Sequence, residues 1–144
     1  MIELDDDKTR LDVGRVHGWL TASYWTPGIS RELIERGIAG AHCLGAYAQG
    51  EQVGFTRAIT DYASFCWIAD VWVDESMRGQ GLGRRMVGWF VDHPRLAGIR
   101  RIALATADAH GVYAELGFTP LMRPDRFMER LSAEHTNLLR EAGQ

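Results

Sequence analysis

Residues 69–83 read ADVWVDESMRGQGLG. No other stretch limits the possible folds of this chain as tightly. Its opening residues continue an apolar run from Phe65, rich in β-branched and aromatic side chains, and read as a strand. Gly79, Gly81 and Gly83 then alternate with Gln80 and Leu82. Leu82, Met86, Val87, Phe90 and Val91 follow at the spacing of an amphipathic helix that Pro94 stops. Strand, glycine turn and helix in that order present free backbone N–H groups and a helix N-terminus to an anion. A chain built around that unit must pair the strand with others and cover it with the helix, which makes it an α/β protein.

The flanking segments define the sheet. Residues 2–4 read as a short strand. Val13, Val16, Trp19 and Leu20 recur at helical spacing from Asp12 to about Ala22. Ser30 is an N-cap for a second helix carrying Leu33, Ile34 and Ile38, ended by Gly37 or Gly40. Residues 42–60 form a hairpin with Gly50 in its turn, followed by the central strand FCWIADVWV. RRIALAT is a further strand. Asp108 is placed to cap a short helix whose Ala109, Val112, Tyr113 and Leu116 share a face, with Gly117 as its C-cap. GFTPL and RFMERL read as two more short strands, and residues 132–144 as a polar tail. The order β-α-α-β-β-β-α-β-α-β-β has a meander in its middle, so a mixed sheet is expected rather than a doubly wound parallel one. At 144 residues the chain is expected to be one domain, 1–144.

Composition narrows the function. A formal net charge of -3 gives no basic footprint for nucleic acid. No apolar run approaches the ~20 residues needed to span a bilayer, and the acidic start MIELDDDKTR is unlike a signal peptide. Cys43 and Cys66 lie in apolar stretches without metal-ligand spacing. They read as reduced core thiols of a cytoplasmic protein, although two cysteines leave one disulfide open.

Three phosphate-loop patterns compete for the glycines. Arg84 follows Gly83 where a Walker loop needs lysine, and the same arginine stands where the dinucleotide fingerprint needs its third glycine. The pattern R/Q-x-x-G-x-G/A, a pyrophosphate loop for coenzyme A, is met by Arg78, Gly81 and Gly83. Thirty residues on stands GVYAELGF. With both motifs in this order, the chain resembles the GNAT superfamily of acetyl-CoA-dependent N-acetyltransferases, strongly over residues 59–121 and in outline elsewhere. The resemblance implies a mixed α/β fold with a mostly antiparallel sheet, splayed at its fourth strand and flanked by about four helices.

It also implies roles. Backbone N–H groups of Gly79, Gln80, Gly81, Leu82, Gly83 and Arg84 would hold the pyrophosphate, with the Arg78 guanidinium beside them. The main chain of Val71, Trp72 and Val73 would pair with the pantetheine arm like an added strand. Thr106 stands where relatives often carry an asparagine that bonds the arm, and its hydroxyl replaces part of that bonding. Tyr113, the tyrosine of the second motif, would protonate the departing thiolate, or else simply pack on its helix.

The base is open. Strict alternation puts Cys66, Ile68, Asp70, Trp72 and Asp74 on one face of the central strand and Phe65, Trp67, Ala69, Val71 and Val73 on the other. Asp70 on that apolar stripe is either a base or amine anchor, or a buried carboxylate paired with Arg57 or a backbone amide. His110, one turn before Tyr113, is a rival base or a solvent-facing side chain. Tyr24, Trp25 and Trp72, three of the aromatics in a chain with five tryptophans, are candidates for an aromatic wall around the acceptor. The expectation is direct transfer of an acetyl group from acetyl-CoA to a primary amine of a small molecule, without a metal. The alternatives are a protein or peptide N-acetyltransferase and a non-catalytic acyl-CoA sensor. The sequence leaves a homodimer open.

Overall fold

The computed structural model describes residues 1–143. The elements run β1 (Ile2–Asp5), α1 (Val13–Thr21), α2 (Arg31–Ala39), β2 (His42–Ala48), β3 (Glu51–Thr60), β4 (Cys66–Val73), α3 (Leu82–Val91), β5 (Ile102–Ala103), α4 (His110–Ala114) and α5 (Ala133–Gly143). One sheet orders the strands β1-β2-β3-β4-β5. Neighbours are antiparallel except β4 and β5, which are parallel. This is the expected mixed sheet, and α5 makes the polar tail helical.

Local chemistry explains the boundaries. The Asp12 carboxylate accepts from the Arg15 amide to start α1, and the Ser30 hydroxyl accepts from the Leu33 amide at 3.2 Å to start α2. Ser30→Ala is expected to cost about 1 kcal/mol in urea denaturation; no loss of stability would mean that the cap is idle. Gln49 and Gly50, with φ of 52° and 83°, make the tight turn of the β2–β3 hairpin. Gly117, at φ 92°, closes α4 as expected, and the Phe118 amide reaches back to the Tyr113 carbonyl.

The sheet separates two cores. Leu82, Met86, Val87 and Phe90 of α3 pack on Leu44, Ala46, Ala58, Cys66 and Ile68. On the other face Val16 and Leu20 of α1 and Ile34 and Ile38 of α2 pack on Cys43 and Phe55. Cys43 and Cys66 therefore lie in different cores and are both free. Burial pushes each thiol up to about 11, so neither offers a thiolate at neutral pH.

Two expectations fail. Asp108 does not cap α4: the helix begins at His110 after Ala109, and the Thr106 hydroxyl oxygen accepts from the Ala109 amide instead, at 3.0 Å. GFTPL and RFMERL form no strands among the described residues. A strand needs a partner ladder, and β5 keeps only Ile102 and Ala103 paired, both to β4. Pro120 and Pro124 also withhold amide donors from this part of the chain.

Candidate active site

The loop before α3 is a set of unused donors. Gly79 and Gly81 take φ of 83° and 77°, a conformation other residues avoid. Gly81 is the N-cap of α3 and makes no side-chain cap bond; the first helical bond runs from Arg85 to its carbonyl. The six amides of residues 79–84 consequently donate to no acceptor among the described residues. Six free N–H groups at the positive end of a helix form a cradle for an anion. The arginines around it are engaged elsewhere. Arg78 Nε donates to the Val73 carbonyl at 3.0 Å with its guanidinium over the Trp72 ring. Arg84 pairs with Glu115 just after α4, and Arg85 donates to the Ile2 carbonyl.

Beside the cradle, β4 loses its neighbour. Only Cys66 and Trp67 pair with β5, so residues 68–73 have an open edge. A β-bulge also interrupts β4. Phe55 faces Trp72 and Arg57 faces Ala69, which leaves Thr56 opposite both Asp70 and Val71. Asp70 carries the bulge with φ 58°, a left-handed conformation that aspartate tolerates better than most residues. The Thr56 hydroxyl donates to the Ala69 carbonyl and ties the irregular turn to β3.

The bulge overturns the strict alternation. The Cys66 amide donates to Arg101 on the β5 side, whereas the Asp74 amide donates to Val53 on the β3 side. An unbroken strand would turn both the same way. Cys66 and Ile68 thus share the α3 core with Val71 and Val73, and Asp70 and Trp72 go to the face of α1 and α2. Counting back from Asp74, the amide of Val73 faces the open edge.

Asp70 is fully engaged. Its Oδ2 accepts from Arg57 Nε at 2.6 Å and its Oδ1 from Trp25 Nε1 at 2.9 Å. Gly37 of α2 makes room for this pair: a Cβ there would lie 3.3 Å from Arg57 Nη1. The void bordering the pair is about 20 Å³, enough for a water and no more. Asp70 therefore fixes Trp25, and Trp25 fixes the wall. Tyr24 packs edge-on to Trp25 at 4.9 Å between centroids, and Trp25 meets Trp72 at 5.9 Å. The three predicted acceptor aromatics are contiguous.

Tyr24 joins this wall to the second motif. Its hydroxyl accepts from the Ala107 amide at 3.3 Å. Tyr113 is half-buried, and burial, with Tyr24 and Asp108 nearby, raises its phenol above the ordinary 10.0. It is protonated at neutral pH. Tyr113, Thr106 and the exposed His110 border one cleft of about 980 Å³. Asp61 and Tyr62, between β3 and β4, take no part in this cleft. Asp61 accepts from the amides of Ala63, Ser64 and Phe65 and is held well below the usual carboxylate range by Ser64 and these bonds. Tyr62 bonds His42, whose other ring nitrogen meets Asp6. In the sequence Arg57 is legible only as a possible partner of Asp70, and the Trp25 bond is not; the available signal was an arginine directly before the apolar pair Ala58 and Ile59.

A mixed sheet that opens beside a helix N-terminus with free amides defines the acetyltransferase fold class. The chain belongs to the acetyltransferase (GNAT) family, whose profile matches residues 5–118. Among solved structures it is similar to a GNAT-family protein from Xanthomonas campestris pv. campestris, with 39% identity over 92% of this chain and 94% of that one and a TM-score of 0.88. A probable acetyltransferase from Staphylococcus aureus shares the fold at 22% identity and TM-score 0.72, over 92% of this chain and 99% of that one. N-acetylglutamate synthase from Neisseria gonorrhoeae, solved with coenzyme A and N-acetylglutamate, shares it at 19% identity and TM-score 0.71, over 99% of this chain and 33% of that one. A comparison with curated proteins found no match. Among the described residues, no helix is long and apolar enough to cross a membrane.

Proposed function

We propose that this chain moves an acetyl group from acetyl-CoA to a primary amine of a small molecule, by direct transfer in a ternary complex. The observation that carries the reading is the run of six unpaired amides before α3, set against the open edge of β4. Unpaired donors at a helix start fit a pyrophosphate, and an unpaired strand edge fits an extended amide-bearing arm. In this reading the amides of Gly79, Gln80, Gly81, Leu82, Gly83 and Arg84 hold the pyrophosphate. The cradle is made of backbone, since the Arg78 and Arg84 side chains have other partners. Val71, Trp72 and Val73 align the arm, with the amide of Val71 or Val73 as donor to the developing oxyanion. Thr106 keeps a hydroxyl proton to offer, its oxygen already accepting from Ala109. Bound acetyl-CoA supplies the activated acetyl group as a thioester.

Tyr113 gives its proton to the departing thiolate in this scheme. Its raised pKa keeps that proton in place: the protonated form is present below the folded-state value and lost as pH rises through it. The limb of activity due to Tyr113 should therefore fall at a higher pH than an ordinary phenol would give. Tyr113→Phe is expected to lower turnover by about 10²-fold, with coenzyme A affinity unchanged in calorimetry. Unchanged turnover would return Tyr113 to packing alone. Asp70 acts as the anchor of the aromatic wall rather than as the base, because both its oxygens are bonded and the adjoining void holds only a water. His110, exposed and in the cleft with Tyr113, is the side chain free to take the amine proton, directly or through water.

The wall of Tyr24, Trp25 and Trp72 favours a small amine with an apolar or aromatic body. Cys43 and Cys66, buried as thiols, do not favour an acyl-enzyme. Initial rates test the ternary complex, read as free thiol released from acetyl-CoA while both substrates are varied. Intersecting double-reciprocal lines are expected; parallel lines would mean a covalent acyl-enzyme.

A further inference from the structure

Beyond Leu96 this chain buries nothing: every described position from 97 to 142 is exposed or half-buried. Residues 121–130 are exposed without exception. They include Leu121 and Phe127, with Met122 at 87% and Met128 at 98% exposure. A long methionine side chain left almost wholly in water, next to other apolar residues, marks an interaction surface.

The same region leaves an empty place. Among the described residues, β5 has β4 on one side and no strand on the other. The cleft of about 980 Å³ is lined by residues 100–106, by α4 and by residues 117–122, while residues 123–131 contribute nothing to its wall. Phe127 is instead held outside it, with the Arg101 guanidinium 4.7 Å from its ring. One chain therefore carries both a strand-sized vacancy beside a sheet edge and a strand-patterned segment with nothing to pair with.

We propose that residues 126–131 of a second copy enter this cleft as a strand beside β5, and that the exchange is reciprocal. Six extended residues span about 20 Å, the length of edge that residues 100–106 offer. A two-fold exchange satisfies both features at once in both copies, whereas a foreign peptide would fill the cleft and leave the apolar segment exposed. The partner strand would also complete the wall of the cleft beside Tyr113, Thr106 and His110. That last link rests on the acetyl-transfer reading; the pairing itself does not.

Multi-angle light scattering on the full chain tests this. The wild type should elute at twice the 16.1 kDa chain mass. Met128→Asp should elute at the single-chain mass with an unchanged circular dichroism spectrum, because this side chain touches almost nothing within one copy. Met128→Leu should remain a dimer. A wild type of single-chain mass at every concentration, as a segment folded back into its own cleft would give, overturns the proposal. So does a Met128→Asp protein that stays dimeric. Neither measurement involves acetyl-CoA, so failure here leaves the reading of the active site standing.

Discussion

Gly81→Glu is expected to abolish coenzyme A binding and leave the fold intact. Gly81 sits at φ 77° as the N-cap of α3, so any side chain there strains the turn. The nearest atom to an added Cβ is Arg84 Nη2 at 3.6 Å, so bulk alone is tolerated. The larger effect is electrostatic. A carboxylate would occupy the free amides of the loop and repel the charge of an incoming pyrophosphate at the positive end of the helix. A loss of affinity of at least about 100-fold, about 2.7 kcal/mol, is expected in calorimetric titration. Near-normal affinity would show that the anion binds elsewhere.

The second large effect is on stability. Asp70→Leu should destabilise the protein by about 3–5 kcal/mol, because it strands the Arg57 guanidinium in a site built for an ion pair. The Arg57 and Asp70 side chains are only 22% and 10% exposed, so water replaces the carboxylate poorly. Trp25 would lose its Nε1 partner as well, and the wall at Tyr24 and Trp72 would loosen. Arg57→Met in the same chain should restore a large part of the loss, since an apolar pair of similar volume often matches a buried ion pair. Urea denaturation of both single variants and the double variant makes the check. Additive losses would mean that the two residues act separately.

These variants address the parts of the molecule that differed most in how far the sequence exposed them. The cradle was legible because its information is local. Alternating glycines, a strand before them and a helical stripe after them lie within residues 65–91. Ser30, Gly50 and Gly117 were legible for the same reason, each answering a need of its own turn. The aromatic wall was legible as a set of candidates, although not as a geometry.

What stayed hidden depends on pairing. Alternation assigns the faces of β4 correctly only while the register holds, and the extra residue at Asp70 reverses the phase halfway along. Nothing in ADVWV announces that reversal; it appears when Thr56 faces two residues instead of one. The partners of Asp70 lie 13 and 45 positions away, so its saturation could be offered only as an alternative. Asp108 looked like the better cap for α4 than Thr106, and the path of the loop, not the residue type, decided between them. RFMERL has the pattern of a strand but no ladder among the described residues. That mismatch between pattern and pairing is the reason to look for its partner in a second copy.

In the proposed function, cradle, open strand edge and aromatic wall together make an enzyme acting on small amines. Incubation of the protein with acetyl-CoA and a panel of primary amines, aromatic and aliphatic, with products read by mass spectrometry, tests it most directly. An acetylated small amine that forms with wild-type protein and disappears with Gly81→Glu is the expected result. Tight binding of acetyl-CoA with no acetylated product from any amine would contradict it and leave a sensor in place of an enzyme.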